Sequence, residues 1–192
     1  QVTGTPQALL LQTLKSGWRP LFTYYFQPGD AYLGGDFFFP QAKQPKCITY
    51  LETLKTPTRS VVIRHLAVSA QILASGGKVS NCLFHPSVRQ AVHQKFADDV
   101  THELVWCMEH IDTEFESLLK AEYDNLFPAK TNKIEYTVFL EKAKDLLLSK
   151  QIKILIMNGK NDIDSSQYET GCNFVIGGNT LGRGVTFPSL QT

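Results

Sequence analysis

A glycine-rich segment near the end of the chain, Ile176 to Phe187 (IGGNTLGRGVTF), combines features suited to binding phosphate. Gly177 and Gly178 follow an apolar, strand-like run and allow the backbone to approach a ligand closely. Their N–H groups can form an anion-binding nest. Asn179 and Thr180 add short polar side chains beside it. The segment therefore predicts an anion site at the end of a strand.

An arginine in the same segment supplies a positive charge. Arg183 lies between Gly182 and Gly184, and its planar guanidinium can form a fork of hydrogen bonds to phosphate oxygens. The alternative is an ordinary glycine-rich turn that carries a surface arginine. We favour the phosphate site, because strand, glycines, hydroxyl and arginine occur together.

Two further loops carry polar groups after apolar runs. Thr3 and Thr5 flank a glycine, which a turn with a helix cap explains equally well. His85 follows an apolar run directly, and Ser87 is predicted as the N-cap of the next helix. His93 lies two turns into that helix, and we interpret it as a surface or boundary residue.

Several kinds of chemistry are absent from the sequence. There is no G-x-x-x-x-G-K-[ST] phosphate loop and no acidic pair after an apolar strand, and a complete P-loop motor needs both. The acidic residues Asp30, Asp36, Asp162 and Asp164 are better explained by turns than by metal binding. The cysteines form no CxxC pair, so we expect no structural zinc and predict reduced thiols in a cytoplasmic protein. They are Cys47, Cys82, Cys107 and Cys172.

The bulk properties are those of a globular domain. The net charge of +1 excludes general electrostatic binding of nucleic acid, so any such contact needs a local patch or a partner domain. No apolar run reaches the ~18 residues needed to cross a bilayer, and we expect no membrane partner. The first residue is not Met and the last residues are strand-like, so we expect a piece of a longer polypeptide.

Strands separated by helices indicate a mostly parallel sheet, in which ligands bind beyond the carboxyl ends of the strands. The predicted strands are Leu21–Phe26, Val79–Phe84, Ile152–Met157 and Asn173–Ile176. The predicted helices are Arg59–Ala74, a stretch from Val88 to Leu118, and about Glu135–Lys150. The apolar stripe from Val88 to Leu118 predicts nearly one continuous helix of ~45 Å, part of which would project as an insertion.

Together these motifs resemble known proteins. VTGTPQALLLQ (Val2 to Gln12), CLFHPS (Cys82 to Ser87) and IGGNTLGRGVTF are similar to the third, fourth and fifth motifs of superfamily-two helicases. More narrowly, VTGTPQA, YLGGDFFF (Tyr32 to Phe39) and IGGNTLGRGVTF resemble the Z-one (Z1) domain family. Those domains follow an ATPase-like region in proteins described as bacterial endonucleases linked to restriction or phage defence.

The resemblance implies an α/β, RecA-like fold. Residues 1–58 would hold the end of a first-lobe motif and a connecting segment. Residues 59–192 would form part of a second RecA-like domain, with a helical insertion at about 87–150. Because the sixth motif with its arginine finger is not in the sequence, we expect no NTP hydrolysis by this chain alone.

Site roles follow from the same resemblance. Thr3, Thr5 and Arg183 would have catalytic roles, coupling nucleotide state to nucleic-acid binding. Asn179 would face the nucleotide ribose, and Gly182, Arg183 and Gly184 would contact the nucleotide. The residues expected to contact nucleic acid are His85, Ser87, Gly177, Gly178 and Thr180. Gly178 stands where many helicases have threonine, so only a backbone contact is expected there.

The implied function is a motor-lobe domain of a larger NTP-dependent DNA-processing protein, with DNA and the rest of its own polypeptide as partners. That polypeptide would supply an ATPase lobe and possible nuclease domain. ATP with Mg would bind the intact protein, and this chain alone would hold neither tightly. One alternative is a degenerate RecA-like interaction module without nucleotide. A stand-alone nuclease is the weakest alternative, because no carboxylate–lysine metal site is visible.

Overall fold

The computed structural model describes residues 55–127, 133–149, 151–158 and 163–178, together with residues 24, 29–30, 181, 187–188 and 190. The chain divides into two compact units, Gln1–Thr49 and Tyr50–Thr192. All elements given below lie in the second unit. The predicted strand Leu21–Phe26 lies outside the described residues except for Tyr24, which is exposed and is not part of a strand.

Within the described residues of the second unit, four α-helices, three strands and one short 3₁₀ helix follow one another. In chain order they are α1 (Pro57–Ala74), β1 (Val79–Phe84), α2 (Gln90–Glu109), α3 (Glu114–Leu126), α4 (Tyr136–Leu148), β2 (Ile152–Met157), the 3₁₀ helix Ser165–Tyr168 and β3 (Gly171–Gly177). The mixed helix and strand composition confirms the predicted α/β class at this level.

Helix α1 begins and ends at residues that favour those positions. Pro57 opens it, where the missing N–H of proline costs no hydrogen bond. At the other end Gly76 adopts a φ of 89°, a conformation that glycine reaches without strain. The N–H of Gly77 donates to the carbonyl of Ile72 at 2.9 Å, and the N–H of Gly76 donates to that of Leu73 at 3.3 Å. This Schellman arrangement ends α1 and leads into β1.

The three strands form a parallel sheet in the order β1-β3-β2. Val79 of β1 pairs with Gly171 of β3, and Ile152 of β2 pairs with Cys172. The predictions for β1 and β2 are confirmed at both ends, and the fourth predicted strand, Asn173–Ile176, lies within the longer β3. Because β3 has a neighbour on each side, its residues from Cys172 onwards are all buried.

The prediction of one helix from Val88 to Leu118 is wrong, because the chain turns between α2 and α3. The His110 carbonyl, which would accept from residue 114 in a continuous helix, instead accepts from the N–H groups of Thr113 at 3.0 Å and Phe115 at 3.2 Å. The Thr113 hydroxyl also donates to it at 3.2 Å. Such local side-chain bonds compete with the helical pattern.

The apolar stripe behind that prediction also drifts around the helix. From Val88 to Met108 its members recur every four residues, so each is rotated by roughly 40° from the previous one at 3.6 residues per turn. Met108 is consequently exposed, and Val88, also exposed, lies before the helix begins. The face that is buried instead recurs in alternating steps of four and three residues, at His93, Ala97, Val100, Leu104 and Cys107.

The helices lie against one face of the sheet and build the main core with it. Phe115 of α3, Phe139 of α4 and Phe174 of β3 are all fully buried in this cluster. Helices α3 and α4 therefore belong to the packed core rather than to a projecting arm. A smaller cluster lies on the opposite face and includes Met157, Tyr168, Val175, Leu181 and Phe187.

Candidate functional site

The carboxyl ends of β1 and β3 lie side by side, because Phe84 pairs with Ile176 in parallel register. The segment after β1 and the segment after β3 consequently leave the sheet at the same edge. Among the predicted nucleic-acid contacts, His85 is exposed, Ser87 is half-buried, and Gly177 and Gly178 are buried. The structure thus brings the start of the glycine-rich segment next to the His85–Ser87 segment.

A histidine joins these two segments. The Nε2 atom of His93, in the first turns of α2, lies 2.7 Å from the carbonyl oxygen of Ser87. Because a carbonyl only accepts, Nε2 carries the proton and donates it. A Cβ placed on Gly178 would lie 3.2 Å from that same oxygen and 3.3 Å from Cε1 of the imidazole. Ser87, His93 and Gly178 therefore meet in one contact.

The interpretation of His93 as a surface or boundary residue is wrong, since its side chain is 1% exposed. It belongs to the buried face of α2, in the alternating four-and-three spacing with Ala97 and Val100. That spacing is the signal in the sequence that identifies His93 as buried. Its contact with the two segments depends on the strand order.

Ser87 also differs from its predicted role. Helix α2 begins at Gln90 with Arg89 as its N-cap, and no side chain caps it. The Ser87 hydroxyl accepts a hydrogen bond from the N–H of Arg89 at 3.1 Å, one turn before the helix. Ser87 thus shapes the segment between β1 and α2 instead of capping the helix.

Gly177 is required by close packing at the end of β3. A Cβ at this position would lie 2.6 Å from the carbonyl oxygen of Met157 at the end of β2, and 2.8 Å from Cγ of Leu181. The N–H of Leu181 donates to the carbonyl of Gly178 at 3.0 Å, so the chain turns directly after the strand. Neither Gly177 nor Gly178 therefore has room for a side chain of its own, because Met157, Leu181, Ser87 and His93 lie where a Cβ would be.

The remaining predicted site residues lie outside the described residues. They are Thr3, Thr5, Asn179, Thr180, Gly182, Arg183 and Gly184. Asp164, predicted from the sequence to be a turn residue, accepts a hydrogen bond from the N–H of Ser166 at 2.9 Å and caps the 3₁₀ helix. This bond lowers the pKa of Asp164 below its usual value.

Neither metal nor thiol chemistry is visible in the part of the chain that the structure describes. No group of three or more histidine, cysteine or acidic residues there is placed to hold a metal ion. Cys82, Cys107 and Cys172 are buried as free thiols. Burial raises the pKa of Cys172 to about 12, which keeps it in the unreactive thiol form.

The fold and this edge define an α/β domain with a three-stranded parallel sheet, whose segments after β1 and β3 meet at a candidate ligand site. The chain belongs to the Z1 domain family, whose sequence model matches residues 59–192. No curated protein and no solved structure matches the chain. Among the described residues, no helix has both the length and the apolar character needed to cross a membrane.

Proposed function

We propose that this Z1 chain is a helicase-like motor-lobe domain of a larger NTP-dependent DNA-processing protein. One observation carries the proposal: adjacent parallel strands bring the His85–Ser87 segment and the Gly177–Gly178 backbone together at the carboxyl edge of the sheet. In open α/β sheets this edge is where ligands bind.

The chemistry of that edge favours a phosphate. Glycine backbone without side chains can approach an anion closely. Five residues beyond Gly178 the sequence places Arg183 between two glycines, and a guanidinium is always charged and matches phosphate geometry. The ligand would be the phosphate groups of a nucleotide, of DNA, or of both in succession.

ATP and Mg require further groups from the rest of the polypeptide. The chain has no phosphate loop with its lysine and no acidic pair for magnesium. An ATPase lobe elsewhere in the same protein would supply them, and this domain would close over the nucleotide. A cytoplasmic role in restriction or phage defence, with a nuclease domain in the same polypeptide, belongs to the same proposal.

The test is Arg183→Ala in the intact protein, with DNA-stimulated NTP hydrolysis and melting temperature measured on the same preparations. Loss of a charge-assisted contact worth ~1.5–3 kcal/mol lowers turnover by about one to two orders of magnitude. Arg183→Lys restores it only in part, because lysine lacks the planar fork.

Arg64→Ala is the matched control, since Arg64 lies on α1 and pairs with Glu122 of α3 at 3.0 Å within the helical layer. This control should leave turnover per folded molecule unchanged. If Arg183 only stabilises the fold through a carboxylate such as Asp162 or Asp164, its alanine variant melts earlier and turns over normally. That result would refute the motor-lobe proposal.

A second candidate, an interaction module without nucleotide, is favoured by the charge of the helical layer. Acidic side chains dominate residues 87–127, with Asp98, Asp99, Glu103, Glu109, Asp112, Glu114, Glu116, Glu122 and Asp124 against Arg89, Lys95 and Lys120. Exposed apolar side chains on the same helices include Val105, Met108 and Leu118. Ion pairs with arginine or lysine neutralise five of these carboxylates, at Glu103, Asp112, Glu116, Glu122 and Asp124. The remaining acidic and apolar surface suits a basic protein partner.

The motor-lobe and interaction-module functions predict different results when acidic charges on the surface of α2 are reversed. Asp98→Lys with Glu109→Lys leaves DNA-stimulated hydrolysis by the intact protein unchanged if the domain is a motor lobe. The same pair of substitutions weakens docking to the rest of the polypeptide, measured by calorimetry with the separated parts, if the domain is an interaction module.

A further inference from the structure

His93 occupies an unusual position for a histidine. It lies in the first turns of α2, where its side chain points back towards the helix N-terminus and the segment after β1. The ring is almost completely buried, and Nδ1 has no hydrogen-bond partner among the described residues. A buried polar atom without a partner destabilises the fold. A leucine here would avoid that cost, so the histidine needs a compensating role.

The compensating contact is the bond from Nε2 to Ser87. Its length of 2.7 Å is short for a bond between neutral groups, and it crosses six residues of sequence, from the helix to the segment leaving β1. The bond holds this segment against the start of α2. It lies at the sheet edge where the segment meets β3, not within the helical core.

Gly178 packs directly onto this bond. Its missing Cβ would lie within 3.4 Å of three atoms, namely the Ser87 oxygen and both Cε1 and Nε2 of His93. The imidazole and the carbonyl thus fill the space that a larger side chain at residue 178 would need. This explains why glycine stands where many helicases carry threonine: the space is already occupied.

We propose that His93 is a positioning residue that sets the spacing between the two segments of the candidate site, by holding Ser87 against Gly178. The inference rests on the proposed function, because it assigns to that spacing the job of fitting the phosphate backbone of DNA. His93 touches neither DNA nor nucleotide in this role; it acts through the backbone at Ser87 and Gly178.

The binding test uses the full chain and a fluorescent single-stranded oligothymidylate as probe. His93→Phe keeps an aromatic ring but removes the donor, and we expect the Kd to rise about three- to tenfold, the value of one net hydrogen bond. His93→Gln keeps a donor on a chain of similar reach and restores the Kd to within about twofold of the wild type.

Val100→Ala is the matched control, because Val100 is fully buried on the same face of α2, about two turns further along. It lowers the melting temperature and leaves the Kd unchanged if position 93 acts through the site rather than through general stability. An unchanged Kd in folded His93→Phe, or an equal rise in Val100→Ala, overturns the positioning role.

Nuclear magnetic resonance separates this inference from the proposed function. In the wild type we expect a protected Nε2–H signal from His93, and in His93→Phe we expect shifts of the backbone amides of Ser87 and Gly178 together. If the wild type binds no oligothymidylate, the proposed function fails, and these amide shifts alone support or overturn the positioning of the two segments. Amide resonances that stay in place in His93→Phe overturn it.

Discussion

The two faces of the parallel sheet are built from different chemistry. The face under the helices is apolar apart from Ser80, and its residues Cys82, Cys172 and Phe174 are at most 1% exposed. The opposite face carries amides and an amine in the amino half of the strands, where Val79 is the apolar exception, and apolar side chains in the carboxyl half. The polar side chains are Asn81, Lys153 and Asn173, and the apolar side chains of the carboxyl half are Leu83, Leu155, Met157 and Val175.

The polar half of the opposite face ties loops to the strands. The amide nitrogen of Asn81 donates to the carbonyl of Tyr168 at 3.1 Å and to that of Pro188 at 2.6 Å. Its oxygen accepts from Asn173, the residue paired with it in the sheet, at 2.9 Å. The amine of Lys153 donates to the carbonyl of Gln167 at 2.9 Å.

The difference shows that the helical face mainly stabilises the fold, whereas the opposite face holds the connecting loops in position on the strands. Apolar burial is non-directional and holds the helices on without fixing where a loop runs. Hydrogen bonds from amides are directional, so the opposite face fixes residues 165–170 and residue 188 on either side of the glycine-rich segment in sequence. That segment therefore starts at β3 and returns to a fixed point on β1.

The largest loss of stability should come from removing a buried side chain on the face of the sheet under the helices. Phe174→Ala removes a fully buried ring that packs edge-on against His65 and lies parallel to Phe84. We expect the free energy of unfolding to fall by about 3–5 kcal/mol, the usual cost of a large cavity. Urea denaturation followed by circular dichroism measures it. If Phe174→Ala lost less stability than Asn81→Ala, the helical face would not be the main source of stability.

Stability should also depend on pH through the same face, because the side chain of His65 on α1 is fully buried there. Burial lowers the pKa of His65 to about 4, and a smaller opposite effect comes from the backbone of Asn173. The unfolded chain takes up this proton near pH 6.5, so stability falls as the pH drops from about 6.5 to about 4. The loss reaches about 3 kcal/mol at most.

His65→Leu is the variant that isolates this dependence. Denaturation curves at pH 7 and pH 4.5 should show a smaller difference for the variant than for the wild type, because leucine binds no proton. An identical pH difference in the two proteins would show that His65 is not the group responsible.

A smaller loss of stability, with its main consequence in the position of one loop, is expected from a substitution on the opposite face. Asn81→Ala removes two donated bonds and one accepted bond, and we expect about 1–3 kcal/mol of lost stability. Hydrogen exchange should rise at residues 165–170 more than in the helices, because the loop loses its anchor. Val79→Ala is the matched control, since Val79 is a buried residue on the same face of β1. Uniform exchange throughout the domain in Asn81→Ala would contradict the anchoring role.

The parts of the fold that were predictable are those encoded by local pattern. The runs VSNCLF and IKILIM are rich in apolar residues and become β1 and β2 at the predicted residues. The break at His110 to Thr113 was missed, because a stripe with spacing of four looks continuous even as it rotates away from the core.

Contacts between distant segments were not predictable from pattern. The pairing of Asn81 with Asn173, and the meeting of His93 with Gly178, both depend on β3 lying beside β1 rather than at an edge. The sequence locates the glycine-rich segment at the end of a strand. It contains no local signal for the neighbour that this strand will have.

The strand order also governs how the chain is assembled during synthesis. The central strand β3 is the last of the three to leave the ribosome, about 90 residues after β1. At 5–20 residues per second, β1 waits roughly 5–20 s with its pairing edge unfilled. Helices α1 to α4 are complete by then and must stay near an unfinished sheet. Nascent chains that stop before Gly171 therefore present two open strand edges, which is the kind of surface that chaperones recognise and that aggregates in their absence.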